Sequence, residues 1–182
     1  MKNKAIDARK HAFTNADSIL FDANILLYLY GPVVDPSKWE VQAYSKIFAD
    51  VLNGGAQLFL DVLVVSEFIN RFARLEMKRL QPGQVEFKVF RNSTDFISVA
   101  KTIEAQVTQI FTICKPIDHF YSEWNHTNVL SNFGLGNFDY NDQLIAENCR
   151  KHQLVLLTDD KDFIEGGITV LTANNKLLGA CK

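Results

Sequence analysis

The sequence predicts an α/β protein: a three-layer α/β/α fold around a central parallel sheet of four to five strands. Three observations carry that expectation. Short apolar stretches alternate with stretches of helical periodicity, which is the pattern of βα units. LVLLT (154–158) and ITVLT (168–172) are apolar throughout or nearly so, as strands buried on both faces are. With 182 residues, 47% of them hydrophobic and 22% charged, the chain is long enough to bury a substantial core as a single domain over 1–182.

The first strand is SILFD (18–22), preceded by an N-terminal lead, residues 1–17. It runs into ANILLYLYG, whose apolar residues suit a buried helix ending at Gly31-Pro32. Ser37 is placed to cap a helix in which Trp39, Val41, Tyr44, Ile47, Phe48, Val51 and Leu52 recur at helical spacing, until Gly54-Gly55 stop it. AQLFLD (56–61) is a second strand, and 62–80 carries helical periodicity with Val65, Phe68, Phe72 and Leu75 on one stripe. Residues 81–137 form a mixed segment. Within it a helix runs from Ser93 or Thr94 to about Thr112, CKPID follows as a short strand, and 119–137 is irregular. Residues 138–152 read as a helix, 154–158 as a strand, DDKDFIEGG as a loop and 168–172 as the last strand.

Composition excludes several classes. A net charge of −2 argues against a protein that coats nucleic acid through a broadly basic surface, while leaving room for a local basic patch. The longest apolar run, Ile25 to Tyr30, is far below the roughly 20 residues that span a membrane. No secretory signal is visible at the N-terminus. Cys114, Cys149 and Cys181 are odd in number and widely spaced, which points to reduced thiols and a cytoplasmic location. The histidines form no zinc-type pairing.

The chemistry-bearing residues fall where an open parallel sheet builds its sites, outside the carboxyl ends of the strands. Asp22 ends the first strand, Asp159, Asp160 and Asp162 follow LVLLT, and Glu67 lies early in the helix after the second strand. Asp139 and Asp142 occupy the start of their helix. Taken singly, Asp139 reads as a helix cap, TDDKD as an Asp-rich turn and Glu67 with Arg71 as a plain helical ion pair. Asp22, flanked by core on both sides, is harder to explain without something to bind. Clustered carboxylates repel one another unless a cation compensates, and an all-oxygen donor set selects a hard ion, Mg²⁺ or Mn²⁺. One or two such ions on a carboxylate rim suit phosphodiester hydrolysis.

FDANILLYLY (Asp22, Asn24), VVSEFINR (Ser66, Glu67), FDYNDQLIAENC (Asp142) and LLTDDKDF (Thr158, Asp160, Asp162) occur in an order and spacing that resembles the PIN-domain nucleases. The likeness extends over roughly 18–172. It implies Mg²⁺- or Mn²⁺-dependent cleavage of single-stranded RNA, and similarity to the toxins of toxin–antitoxin pairs, with an antitoxin protein and a homodimer as expected partners. Carried across, Asp22, Glu67, Asp142 and Asp160 are the catalytic, metal-binding carboxylates, and Asp162 is a further ligand. Asn24, Ser66 and Thr158 stand behind them as orienting groups. The interval between Glu67 and Asp142 is longer than in compact toxin relatives, so 81–137 holds family-variable structure. The alternative is a catalytically quiet PIN-like module that binds RNA or protein, against which the intact quartet counts. A structure-specific DNA nuclease on a related fold expects a duplex-binding element that does not stand out. A phosphoaspartate receiver needs a strand-end Lys that is not evident.

Two further patterns concern substrate. Glu67, Arg71, Arg74 and Lys78 follow i, i+4, i+7, i+11 and form one helical stripe, suited either to a phosphate backbone or to a solvated face. Phe120, Tyr121, Trp124, Phe133 and Phe138 lie in the irregular segment, placed either to stack bases or to pack a loop on the core.

Overall fold

The computed structural model describes residues 1–83, 86–136 and 139–181. Its six strands are β1 (Lys4–Asp7), β2 (Ser18–Phe21), β3 (Gln57–Leu60), β4 (Lys115–Pro116), β5 (Val155–Leu157) and β6 (Thr169–Thr172). They pair in the order β1-β6-β5-β2-β3-β4, every pair parallel. Helices α1 (Ala23–Tyr30), α2 (Trp39–Gly54), α3 (Val62–Leu80), α4 (Phe87–Arg91), α5 (Thr94–Ile113), α6 (His126–Gly134), α7 (Tyr140–His152) and α8 (Asn175–Ala180) complete a three-layer α/β/α architecture. Among the described residues no helix is long and apolar enough to cross a membrane.

The sheet has one strand more than the sequence predicts, because the lead is part of it. Lys4 to Asp7 pair with Thr169 to Thr172, Ala8 and Phe13 are buried, and Asn3 bonds the 163–168 turn through both ends of its amide. Gly54 shows how tightly the lead is applied: a Cβ there would stand 2.3 Å from the Phe13 carbonyl oxygen. Its neighbour Gly55 closes α2 in the left-handed conformation, φ 72°, which a residue without Cβ adopts freely.

Helix phases differ from the sequence expectation at their margins. Lys38, not Ser37, precedes α2, and the Ser37 side chain bonds Asp35 instead. Val41, Tyr44, Ile47 and Val51 face the core while Trp39 and Leu52 are exposed. On α3 the buried face is Val64, Phe68, Phe72, Ala73, Glu76 and Met77, which leaves Leu75 outside. The stretch read as irregular contains α6, capped by Asn125 through the Asn128 amide.

The strand order places a topological switch between β5 and β2. From β2 the chain proceeds outward to β3 and β4, and from β5 outward to β6 on the other side. A crevice opens at the carboxyl ends of the two strands flanking such a switch. Asp22 follows β2 and Thr158 follows β5.

Candidate functional site

Asp22 is the centre of the crevice. It is buried, caps α1 by accepting from the Ala23 amide at 2.6 Å, and receives the Thr158 hydroxyl at 2.6 Å and the Asn24 amide at 2.7 Å on its other oxygen. Thr158 Oγ1 in turn accepts from the Asp160 amide at 2.9 Å, and Asp160 Oδ1 accepts from the Asp162 amide at 2.9 Å. One chain of hydrogen bonds therefore leads from Asp22 across the switch into the loop that carries Asp160 and Asp162. Asn24 reaches the same loop, accepting from the Asp159 amide at 3.2 Å.

Glu67 joins from α3 and Asp142 from the first turn of α7. Burial pushes the Asp22 carboxyl up to about 6, partly resisted by the Thr158 bond, and the charges of Glu67 and Asp160 add to the rise. Asp142 is driven up to about 8, first by burial and then by the charges of Asp22, Asp139, Asp160 and Glu67. Asp142 thus lies within the fields of Asp22, Asp160 and Glu67, and Asp22 within those of Glu67 and Asp160. Among the described residues the one ion pair that reaches these four is Arg71 to Glu67, at 3.0 Å. A carboxylate cluster with one arginine on its edge has an electrostatic demand for a further cation. Among the described residues no three ligating side chains already close on a common point. The donors are carboxylate oxygens held by hydroxyl and amide groups, and that chemistry fits a hard divalent ion better than a thiophilic one.

Asp162 is exposed and, with Asp139 and Asp142, lines a cavity of about 590 Å³ beside the rim. Asp139 caps α7 through the Asn141 amide. Ser66 stands apart from the cluster: it is exposed, and its hydroxyl meets Asn70 at 3.5 Å. One residue of helix turns the side chain by about 100°, so Ser66 and Glu67 point in different directions. Arg71, Arg74 and Lys78 are exposed along α3, with the Arg74 guanidinium 4.8 Å from the Phe87 ring centroid.

Comparison with protein-family models and with curated proteins finds no match. The chemistry of the site therefore rests on its own geometry.

Two constellations escape the sequence reading. Asp159 is gripped by two phenols, Tyr28 to Oδ2 and Tyr44 to Oδ1, both at 2.8 Å, and the two rings are stacked 5.6 Å apart. This clamp fixes the loop next to Asp160. Asp61, fully buried at the end of β3, caps α3 through the Leu63 amide and pairs with His119 Nδ1 at 2.8 Å and Asn148 Nδ2 at 2.6 Å. The signal was present, since Asp61 ends its strand as Asp22 does. Its partners lie 58 and 87 positions away, and no local pattern connects them.

Proposed function

We propose that this protein is a divalent-metal-dependent endoribonuclease of PIN type that hydrolyses phosphodiester bonds in single-stranded RNA. What supports the reading is the hydrogen-bonded link from Asp22 through Thr158 to the Asp160 loop at the switch point, with burial and the charges of neighbouring carboxylates, Glu67 and Asp160 among them, raising Asp22 and Asp142 above the ordinary carboxylate range. The order of the motifs around those residues supports the family likeness. It extends the proposal to a cytoplasmic toxin partnered by an antitoxin protein and able to form a homodimer.

Asp22, Glu67, Asp142 and Asp160 would hold Mg²⁺ or Mn²⁺, one or two ions, with Asp162 placed beside them. When bound, such an ion supplies an acidified water and shares the charge that develops on phosphate. The chain's own groups do the positioning. Thr158 and Asn24 fix the rotamer of Asp22 from two directions, and the Ala23 amide holds its second oxygen. The Thr158 bond to the Asp160 amide sets the loop at a constant distance from that carboxylate. The Arg71 guanidinium on Glu67 starts a cationic stripe along which an RNA backbone can run.

The test is incubation of wild type and Asp22→Asn in parallel with labelled single-stranded RNA in Mg²⁺, Mn²⁺ or EDTA. Cleavage by wild type alone, abolished by EDTA, is the expected result. Equal cleavage by both proteins removes Asp22 from the mechanism. The absence of cleavage, together with no metal-induced rise in melting temperature, removes the enzyme.

A further inference from the structure

The aromatic residues between β4 and α7 divide into two groups. Trp124 packs inward, its ring 4.5 Å from that of the half-buried His119. Phe138 lies outside the described residues. Tyr121, whose ring meets Trp124 edge-on at 5.6 Å, begins a connected row that runs outward from it through the half-buried Tyr140 to Phe133. The Phe133 ring stands 6.0 Å from that of Tyr140, the Tyr140 hydroxyl meets the Tyr121 hydroxyl at 3.2 Å, and the Tyr121 ring lies 4.5 Å from that of His126. Next along the chain from Tyr121, Phe120 stacks on His152 at 5.3 Å, with the Lys151 ammonium, itself paired with Glu123, 5.3 Å from the same ring.

Packing on the core does not account for this row, because Tyr121 keeps 52% of its surface exposed and Phe133 49%. Its chemistry is not that of an aliphatic docking groove. The rings carry hydroxyl and imidazole edges. Flat π-faces with polar edges are what unpaired bases stack on. Position points the same way: Tyr140 opens α7, between the cap Asp139 and the rim carboxylate Asp142.

We infer that Tyr121, Phe133 and Tyr140 form a base-stacking platform for single-stranded nucleic acid leading into the carboxylate rim. The inference rests on the nuclease reading for what happens to the strand, and names how that strand is recognised: by unstacked bases, which a duplex does not present. It also assigns the two sides of the path different work, with α3 taking phosphates through Arg71, Arg74 and Lys78 and the platform taking bases.

Fluorescence anisotropy of the full chain in EDTA compares a labelled oligoadenylate with an abasic strand of equal length and charge. Wild type is expected to prefer the base-bearing strand by roughly tenfold or more. The preference should fall away in Tyr121→Ala and Phe133→Ala and persist in Tyr121→Trp, all with unchanged melting temperatures, since both side chains are half exposed. Equal binding of the two strands by wild type, no binding of either, or an undiminished preference in both alanine variants overturns the platform. Cleavage of RNA in Mn²⁺ by the same preparations keeps the two readings separate. A cutting wild type without base preference sinks the platform alone, and a base preference without cutting sinks the nuclease alone.

Discussion

Asn148 Nδ2 donates to Asp61 Oδ2 at 2.6 Å, so a fully buried hydrogen bond ties the middle of α7 to the end of β3. Because Asp61 also caps α3, the helices that carry Glu67 and Asp142 are both fastened to one carboxylate. Asn148→Ala leaves that carboxylate with the Leu63 amide and His119. The loss of a donor from this buried carboxyl is expected to cost about 1–3 kcal/mol, which lowers the melting temperature by about 2–4 °C for each kcal/mol in a chain of this size. Calorimetry measures it directly, and an unchanged midpoint would show the tie to be dispensable. If α7 carries a functional carboxylate, RNA cleavage should fall in the same variant at temperatures where it remains folded.

Asp22→Asn separates the chemistry of the crevice from its architecture. An amide in place of the carboxylate can still accept from the Thr158 hydroxyl and sheds a charge that the surroundings disfavour, but its NH2 then faces the Ala23 amide and the cap on α1 is lost. Cleavage should vanish while, without metal near pH 8, these opposing effects leave the chain folded with a melting temperature close to that of wild type. The rise in melting temperature that Mg²⁺ or Mn²⁺ produces in wild type should shrink. An equal metal-induced shift in both proteins would place the ion elsewhere.

The raised carboxyls also fix how stability depends on pH. Between the ordinary carboxylate value of 3.8 and the raised values near 6 for Asp22 and 8 for Asp142, the folded chain keeps protons that the unfolded chain has released. Their contribution is therefore fully present below about pH 4 and is lost as pH climbs through the raised values. Metal-free melting temperatures should fall from about pH 5 to about pH 9. Asp142→Asn should flatten the upper part of that decline, and millimolar Mg²⁺ should oppose it by favouring the ionised rim. A wild-type curve no steeper than that of Asp142→Asn would show that Asp142 does not titrate in this range.

Arg74 tests the cationic stripe with the least disturbance to the rim, since Arg71 is already engaged by Glu67. Arg74→Ala should weaken RNA binding and reduce the slope of log affinity against log salt by about one contact's worth. It also removes the stack on Phe87, so Arg74→Lys serves as a control that keeps the charge. A slope unchanged by alanine makes the stripe a solvated face.

The parts of this site legible in the sequence are those whose signals are local. Asp22 announces itself as a carboxylate at the end of an apolar strand, and the TxDxD run after LVLLT places Thr158 and Asp160 by the same logic. The bounds of α3 and of α5 follow from periodicity and caps. What stays hidden is non-local or weakly patterned. β1 reads KAID, a short edge strand with no apolar run, and only its pairing with β6 at the far end of the chain makes it a strand. Asp61 resembles any helix cap until His119 and Asn148 are folded against it. Ser66 shows the converse, since a neighbour in sequence is not a neighbour on a helix face.

Gly54 turns the hidden role of the lead into a measurement with an unusual sign. At an ordinary helical position glycine to alanine stabilises by up to about 1 kcal/mol, and Gly179, where an added Cβ meets nothing within 4 Å, should behave so or stay neutral. At Gly54 the same methyl would press on the Phe13 backbone at 2.3 Å, and the neighbour is not the tip of a flexible side chain that can swing aside. Gly54→Ala should therefore lower the melting temperature and loosen the lead, exposing the β1 edge of β6 to hydrogen exchange. A midpoint that rises as in Gly179→Ala would mean that the lead does not seat against α2, and β1 would have to be held by its ladder with β6 and by Asn3 alone.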